Sequence, residues 1–241
     1  MADQFKVAFQ VLPGILAMLI FFGGCEPRTA HDFNRRGVAW HAEGEYERAV
    51  ADFAAALRLE PTDSIMAANL HLNRGLILDE TQAYRKAVDE YTKSLEFDVS
   101  SAYVYGLRGD AWFHLKEHQK AVDDFTVSIR LDPFDTTYFV NRANNYQTLG
   151  EFDKAIADYT RVIRLAPDLS EGYVLRGESK FAKRDYAGAI FDFNQAIHRD
   201  DECVEAYRKR GLSFQKIGAA EQANRDIERA EWLDSTLEAT E

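Results

Sequence analysis

The chain has 241 residues, of which 46% are hydrophobic and 29% charged, a balance that fits a folded, core-forming protein and not a disordered one. A net charge of −11 argues against nucleic-acid binding, because phosphate contacts need a basic face, while it permits a basic partner. Two cysteines, Cys25 and Cys203, are too few for a disulfide framework.

Residues 1–29 stand apart from the rest of the chain. Lys6 precedes an almost wholly apolar run, Val7 to Phe22, interrupted by Gln10, Pro13 and Gly14 and followed by Gly23, Gly24 and Cys25. A charged start, an apolar run and small residues describe an export signal. The run is short for a spanning helix, and it lacks the polar face of an amphipathic core helix. Phe22-Gly23-Gly24-Cys25 resembles a bacterial lipobox, in which the cysteine is lipidated and becomes the first residue of the mature protein. Gly23 and Gly24 match that pattern, and Phe22 stands where Leu or Val is usual. Two readings follow. Residues 1–24 are a lipoprotein signal peptide with 25–29 as a short linker, or they are an uncleaved signal anchor. Cys203, left without a partner, reads as a small residue at a structural junction.

From residue 30 the chain repeats itself. Gly37, Trp40, Gly44, Tyr46, Ala49, Phe53, Ala56 and Pro61 fall at positions 8, 11, 15, 17, 20, 24, 27 and 32 of the segment 30–63. The register recurs over 68–101 (Gly75, Tyr84, Ala87, Tyr91) and 102–135 (Gly109, Trp112, Ala121, Phe125, Pro133). It recurs again over 136–169 (Ala143, Tyr146, Gly150, Phe152, Ala155, Tyr159, Pro167) and 170–203 (Gly177, Tyr186, Ala189, Phe193, Ala196). The last copy, 204–237, carries Gly211, Phe214, Gly218, Ala223 and Ala230. This spacing resembles the tetratricopeptide repeat, a 34-residue helix–turn–helix module. The resemblance implies an all-α fold, an α-solenoid of six such units forming a right-handed superhelix. Small residues at positions 8 and 20 let helix A and helix B approach closely, and large ones at 11, 17 and 24 fill the space between. Proline at position 32 ends helix B. Ser101, Asp135 and Ser170 are expected to cap the helices that follow them.

Four extra residues, Ser64 to Ala67, separate the first two repeats. Four residues make about one turn, so helix A of the second repeat is expected to begin a turn early, capped by Asp63 or Ser64. In the sixth repeat Ala220 and Ile227 replace aromatics, and its second helix, Glu221 to Trp232, is polar enough to serve as a soluble terminal cap. Residues 238–241 are expected to fray.

Position 7 is arginine in every repeat: Arg36, Arg74, Arg108, Arg142, Arg176 and Arg210. Position 23 is always acidic: Asp52, Glu90, Asp124, Asp158, Asp192 and Asp226. A row of arginines suggests a binding surface. An acid recurring with the same period argues instead for ion pairs within or between neighbouring repeats, for which the planar guanidinium is suited.

In the tetratricopeptide family helix A lines a concave face that holds a peptide or a helix of another protein. By that resemblance the groove includes Asn34 and His41 from the first repeat and Asn69, Leu72 and Asp79 from the second. The third supplies Tyr103, Asp110 and Phe113, the fourth Asn144 and Gln147, the fifth Glu178 and Phe181. Tyr103, Phe113 and Phe181 are candidate anchors. The carboxylates favour a partner bearing Lys or Arg, against the plainer reading of a solvated acidic face. A subfamily clamps acidic chaperone tails with Lys, Asn and Arg. Here Asn34, Val38, Tyr103 and Leu107 stand at four of the clamp positions and only Asn73 matches, so that specificity is not expected.

His114-Leu115-Lys116-Glu117-His118 matches the H-x-x-E-H pattern of inverted zinc peptidases. That site needs one continuous helix, whereas this string crosses the expected turn between helices A and B. A zinc hydrolase at His114 and His118 is therefore the outside reading. No nucleophile elbow, phosphate loop or paired-cysteine motif is present, and no cofactor is expected. The residues and the resemblance together imply a non-catalytic scaffold on a bacterial cell-envelope membrane, facing the periplasm or exterior and holding a protein or peptide. The alternative is a cytoplasmic, soluble adaptor or self-associating scaffold.

Overall fold

A computed structural model describes residues 27–59 and 63–238. The assignments made above to Cys25, to residues 7–22, to Pro61 and to 239–241 lie outside these residues. Twelve α-helices are present among the described residues, in consecutive pairs. They are α1 (Ala30–Ala42), α2 (Tyr46–Arg58), α3 (Ser64–Glu80), α4 (Tyr84–Phe97), α5 (Ala102–His114) and α6 (His118–Leu131). The others are α7 (Thr136–Thr148), α8 (Phe152–Leu165), α9 (Ser170–Ala182), α10 (Tyr186–Arg199), α11 (Val204–Lys216) and α12 (Ala220–Glu238). The chain divides after Val99 into two compact units, the first with two helix pairs and the second with four.

Position 15 is what separates A from B in each pair. Gly44, Gly150 and Gly218 have φ of 76°, 76° and 80° there, and Gln82, Lys116 and Arg184 have 60°, 61° and 68°. The left-handed conformation closes each A helix, at no steric cost for glycine and at some cost for the other three. Within each pair the small residue at position 8 faces the large one at position 24. A Cβ on Gly37 would lie 2.6 Å from the Phe53 ring, and one on Gly177 2.6 Å from Phe193. In the fourth repeat Ala143 takes this place, fully buried with Tyr159. Phe53, Tyr91, Phe125, Tyr159 and Phe193 have no exposed surface, and each such side chain contributes on the order of 1.5–3 kcal/mol.

Caps follow the register. Asp63 caps α3 through Ile65 N at 2.9 Å, so this helix does begin four residues ahead of its repeat. Ser101 accepts from Val104 N and Asp135 from Thr137 N. Ser170 is not a cap. It is the first residue of α9, and the cap position belongs to Leu169, whose side chain has no acceptor. The first helix has a cap that the repeat pattern does not show, a reciprocal box between Thr29 and Asp32.

All six arginines at position 7 pair with the acid of their own repeat. Five do so as a two-pronged fork, Nε and Nη2 each donating to one carboxylate oxygen at 2.6–2.9 Å. The guanidinium also lies near an aromatic ring at position 4, between 5.3 and 5.9 Å from the centroids of Phe33, Tyr105, Phe139, Tyr173 and Tyr207. The remaining nitrogen reaches back a repeat. Nη1 of Arg142, Arg176 and Arg210 donates to Thr126 (3.0 Å), Thr160 (3.1 Å) and Asn194 (2.6 Å), all at position 25. One side chain thus ties helix A to its own helix B and to the helix B before it. The second repeat differs. Position 25 of the repeat before it is Ala54, and Arg74 directs Nη1 to Glu90 at 3.3 Å.

Neighbouring repeats also meet through aliphatic residues at position 28. Leu57 packs against the cluster holding Leu70, Ile129 against that of Tyr138, and Ile163 and Ile197 against that of Tyr173 and Ala206. In the last repeat this position is Glu231, and position 21, aliphatic in the other five, is Asn224; both are exposed. The helix α12 is the polar terminus expected, although it runs from Ala220 to Glu238 and not merely to Trp232.

Asp192 is fully buried beneath Arg176 and Lys180, at 2.7 and 2.8 Å. Replacing it with alanine leaves two cations without their counter-charge, and we expect a loss of about 3 kcal/mol in urea denaturation. Glu45→Ala, which breaks the exposed pair with Arg48, should change stability by less than about 0.5 kcal/mol.

Candidate functional site

The A helices carry the predicted groove residues, and five of the twelve, Asn34, His41, Asp110, Gln147 and Glu178, are held by the next A helix within their unit. In the first unit Asn73 Nδ2 donates to Asn34 Oδ1 at 3.4 Å, and His41 Nε2 lies 3.0 Å from Glu80. Asn69 is exposed, while Leu72 and Asp79 are half-buried.

In the second unit the connections run along four A helices. Asn141 Nδ2 on α7 donates to Asp110 Oδ1 on α5 at 3.0 Å. Gln147 Nε2 on α7 donates to Ser179 Oγ on α9 at 2.6 Å. Lys209 on α11 pairs with Glu178 on α9 at 2.8 Å. Asn144 turns inward and accepts the Tyr159 hydroxyl at 2.5 Å. Burial, followed by the charges of Glu178, Asp158 and Glu171, pushes that phenol up from its ordinary value and keeps it a donor. The amides and acids of this unit expected to meet a ligand, Asp110, Asn144, Gln147 and Glu178, are therefore already engaged by neighbouring side chains.

The candidate anchors separate. Tyr103 is 54% exposed and Phe113 40%. Phe181 is half-buried, packed on the Tyr173 cluster and edge-on to Tyr186 at 5.3 Å. Its ring belongs to the fold as much as to the surface. Beside Phe113 a cleft of about 160 Å³ opens between α5 and α7, lined by Asp110, Phe113, His114, Asn141, Asn144 and Asn145. Four of these, Asp110, Phe113, His114 and Asn144, stand at helix-A positions legible from the repeat register. Asn141 and Asn145 are not, although a cluster of asparagines in α7 was a visible signal.

Asn145, only 1% exposed, forms part of the cleft lining. Its Nδ2 donates to Asn141 O at 2.8 Å, and its Oδ1 lies 2.9 Å from His118 Nδ1. The motif string thus has a different role. The helix breaks at Leu115–Glu117, with Lys116 in the left-handed region, so His114 and His118 do not share one helix face. Among the described residues no group of three or more His, Cys, Asp or Glu is arranged to hold a metal ion. Nor is any helix among them long and apolar enough to cross a membrane.

Two family models match, both described as tetratricopeptide repeat, over residues 72–136 and 137–169. No curated protein matches. Among solved structures, the C-terminal part of a TPR repeat-containing protein from Cytophaga hutchinsonii is 19% identical with a TM-score of 0.78, covering 92% of this chain and 89% of that one. The MamA protein is 22% identical with a TM-score of 0.67, covering 72% of this chain and 92% of MamA. YrrB, described as a TPR protein with an unusual peptide-binding site, is 19% identical with a TM-score of 0.63, covering 75% of this chain and 91% of YrrB. At these identities the likeness is one of fold.

The second repeat offers a test of the electrostatics. Burial would raise the Glu90 carboxyl, but the hydrogen bond from His71 and the charges of Arg74 and Lys93 outweigh it and hold Glu90 below the ordinary range. A depressed carboxyl adds stability above its unfolded value of about 4.3, and that stability is lost as pH falls through the folded value. In urea denaturation from pH 7 to 3, wild type should exceed Glu90→Gln by a margin that is constant above about pH 5 and shrinks below pH 4. A margin independent of pH would contradict this account.

Proposed function

Since the chain is built of tetratricopeptide repeats, we propose that it is a non-catalytic scaffold, anchored to a bacterial envelope membrane through lipid on Cys25, whose A-helix face holds a peptide or helix of another protein. The observation that carries the docking part is the state of the A helices in the second unit. Polar pairs from Asp110–Asn141 to Glu178–Lys209 fix their inner side chains, while Tyr103 stays exposed and Phe113, also exposed, lines a cleft. Such a face is organised before a ligand arrives, which lowers the ordering cost of binding. The peptide-binding site named for YrrB, a protein of the same fold, supports the same use here. The anchoring part rests on the sequence from Lys6 to Cys25.

Two measurements test the two parts. Acyl-lipid labelling with membrane fractionation should show label and membrane attachment in wild type and neither in Cys25→Ala. A variant that stays membrane-bound, beside an unlabelled wild type, would replace the lipid with an uncleaved anchor. Photo-crosslinking residues placed at Tyr103 and Asn69 should give protein adducts in cells. The same residue at Phe191, equally exposed but on α10, should give none. Adducts at Phe191 alone would overturn docking on the A helices.

A further inference from the structure

The cleft between α5 and α7 has a chemistry specific enough to name what enters it. Its lining is one carboxylate, one exposed aromatic ring, one histidine and three amides, with no lysine or arginine. Elsewhere in this fold the same two groups are brought together repeatedly for a single purpose. An acid at position 23 takes the fork of an arginine whose guanidinium also lies near an aromatic ring at position 4. In the cleft the acid is Asp110 and the ring is Phe113, both on α5, in a protein of net charge −11.

We propose that this cleft receives one arginine side chain of the partner held on the A-helix face, with Asp110 as its counter-charge and Phe113 as the ring it lies against. The proposal rests on the docking reading above and adds the residue that the partner must supply. The volume, about 160 Å³, accommodates a guanidinium group. The site is also rigid. Asp110 is held through Oδ1 by Asn141 Nδ2. Asn141, having used its Nδ2, still has an amide oxygen able to accept from a guanidinium. Asn145 is fixed from two sides, and Phe113 is set edge-on between His114 and His118, at 5.6 and 5.7 Å between centroids. Glu171 also adds negative charge nearby, since it acts on the Tyr159 phenol whose hydroxyl donates to Asn144. Lysine carries the same charge but as a compact point, without the planar fork that pairs with a carboxylate or the flat face that lies on a ring.

The test titrates the ¹⁵N-labelled full chain with N-acetyl-arginine-N-methylamide at millimolar concentration, and with the lysine and citrulline analogues. The arginine analogue should shift amide resonances of Asp110, Phe113, Asn144 and their neighbours. Citrulline, of nearly the same shape without the charge, should shift none of them, and lysine should bind at least several-fold more weakly. Asp110→Asn, which keeps an acceptor for Asn141, should weaken arginine about tenfold. Phe113→Leu should weaken it about threefold. Equal response to citrulline or lysine, shifts confined to other helices, or unchanged affinity in both variants would overturn the proposal. The analogue comparison needs only wild type, so an unfolded variant does not remove the test. If the arginine assignment fails while Tyr103 still cross-links a partner, the scaffold stands and only this pocket falls.

Discussion

The arginine at position 7 is the side chain through which each repeat is assembled. Its fork fixes the distance and rotation between helix A and helix B, because Nε and Nη2 must meet both oxygens of one largely buried carboxylate. Hydrophobic burial supplies most of the driving force but is tolerant of small rotations, whereas the fork is not. In the second unit Nη1 then sets one repeat against the one before it. Size complementarity between positions 8 and 24 works within the same frame. Ala143 in one buried cluster with Tyr159 shows that it accepts one extra methyl.

Much of this was legible in the sequence, and the reason is periodicity. Repetition exposes a constraint that a single occurrence hides: one arginine and one acid form a coincidence, six of each at a fixed offset form a pairing. The early start of α3 followed from counting four residues as one turn. What escaped needed the relation between repeats. Thr126, Thr160 and Asn194 recur at position 25, yet their use as acceptors depends on how one repeat stacks upon another, which spacing does not encode. Ser170 shows the limit from the other side. The register put the cap at Leu169, one residue earlier, and a good capping residue in the wrong slot became the first residue of the helix.

The candidate site was legible in outline and not in detail for a related reason. Knowing that a residue is on helix A says which way it points, not whether a neighbour has already taken it. Gln147 and Glu178 face the expected direction and are engaged by Ser179 and Lys209. Phe181 is half-buried, packed edge-on against Tyr186. His118 occupies a slot that is aromatic in four other repeats, and there it steadies Asn145. The apparent metal motif is a by-product of two histidines on either side of a turn.

The links through Nη1 also set how the molecule comes apart. A repeat array behaves as a row of coupled segments, and its weakest coupling decides where it opens first. Every junction within the second unit has an arginine reaching back. The junction of the first two repeats does not, since Ala54 offers no acceptor and Arg74 Nε is buried without a hydrogen-bond partner among the described residues. The same junction carries the four-residue insertion. In native-state hydrogen exchange the amides of α1 and α2 should therefore open as a separate group, ahead of those of α8 to α11. Breathing would then begin at the first helix pair, with the second pair of the same unit still closed.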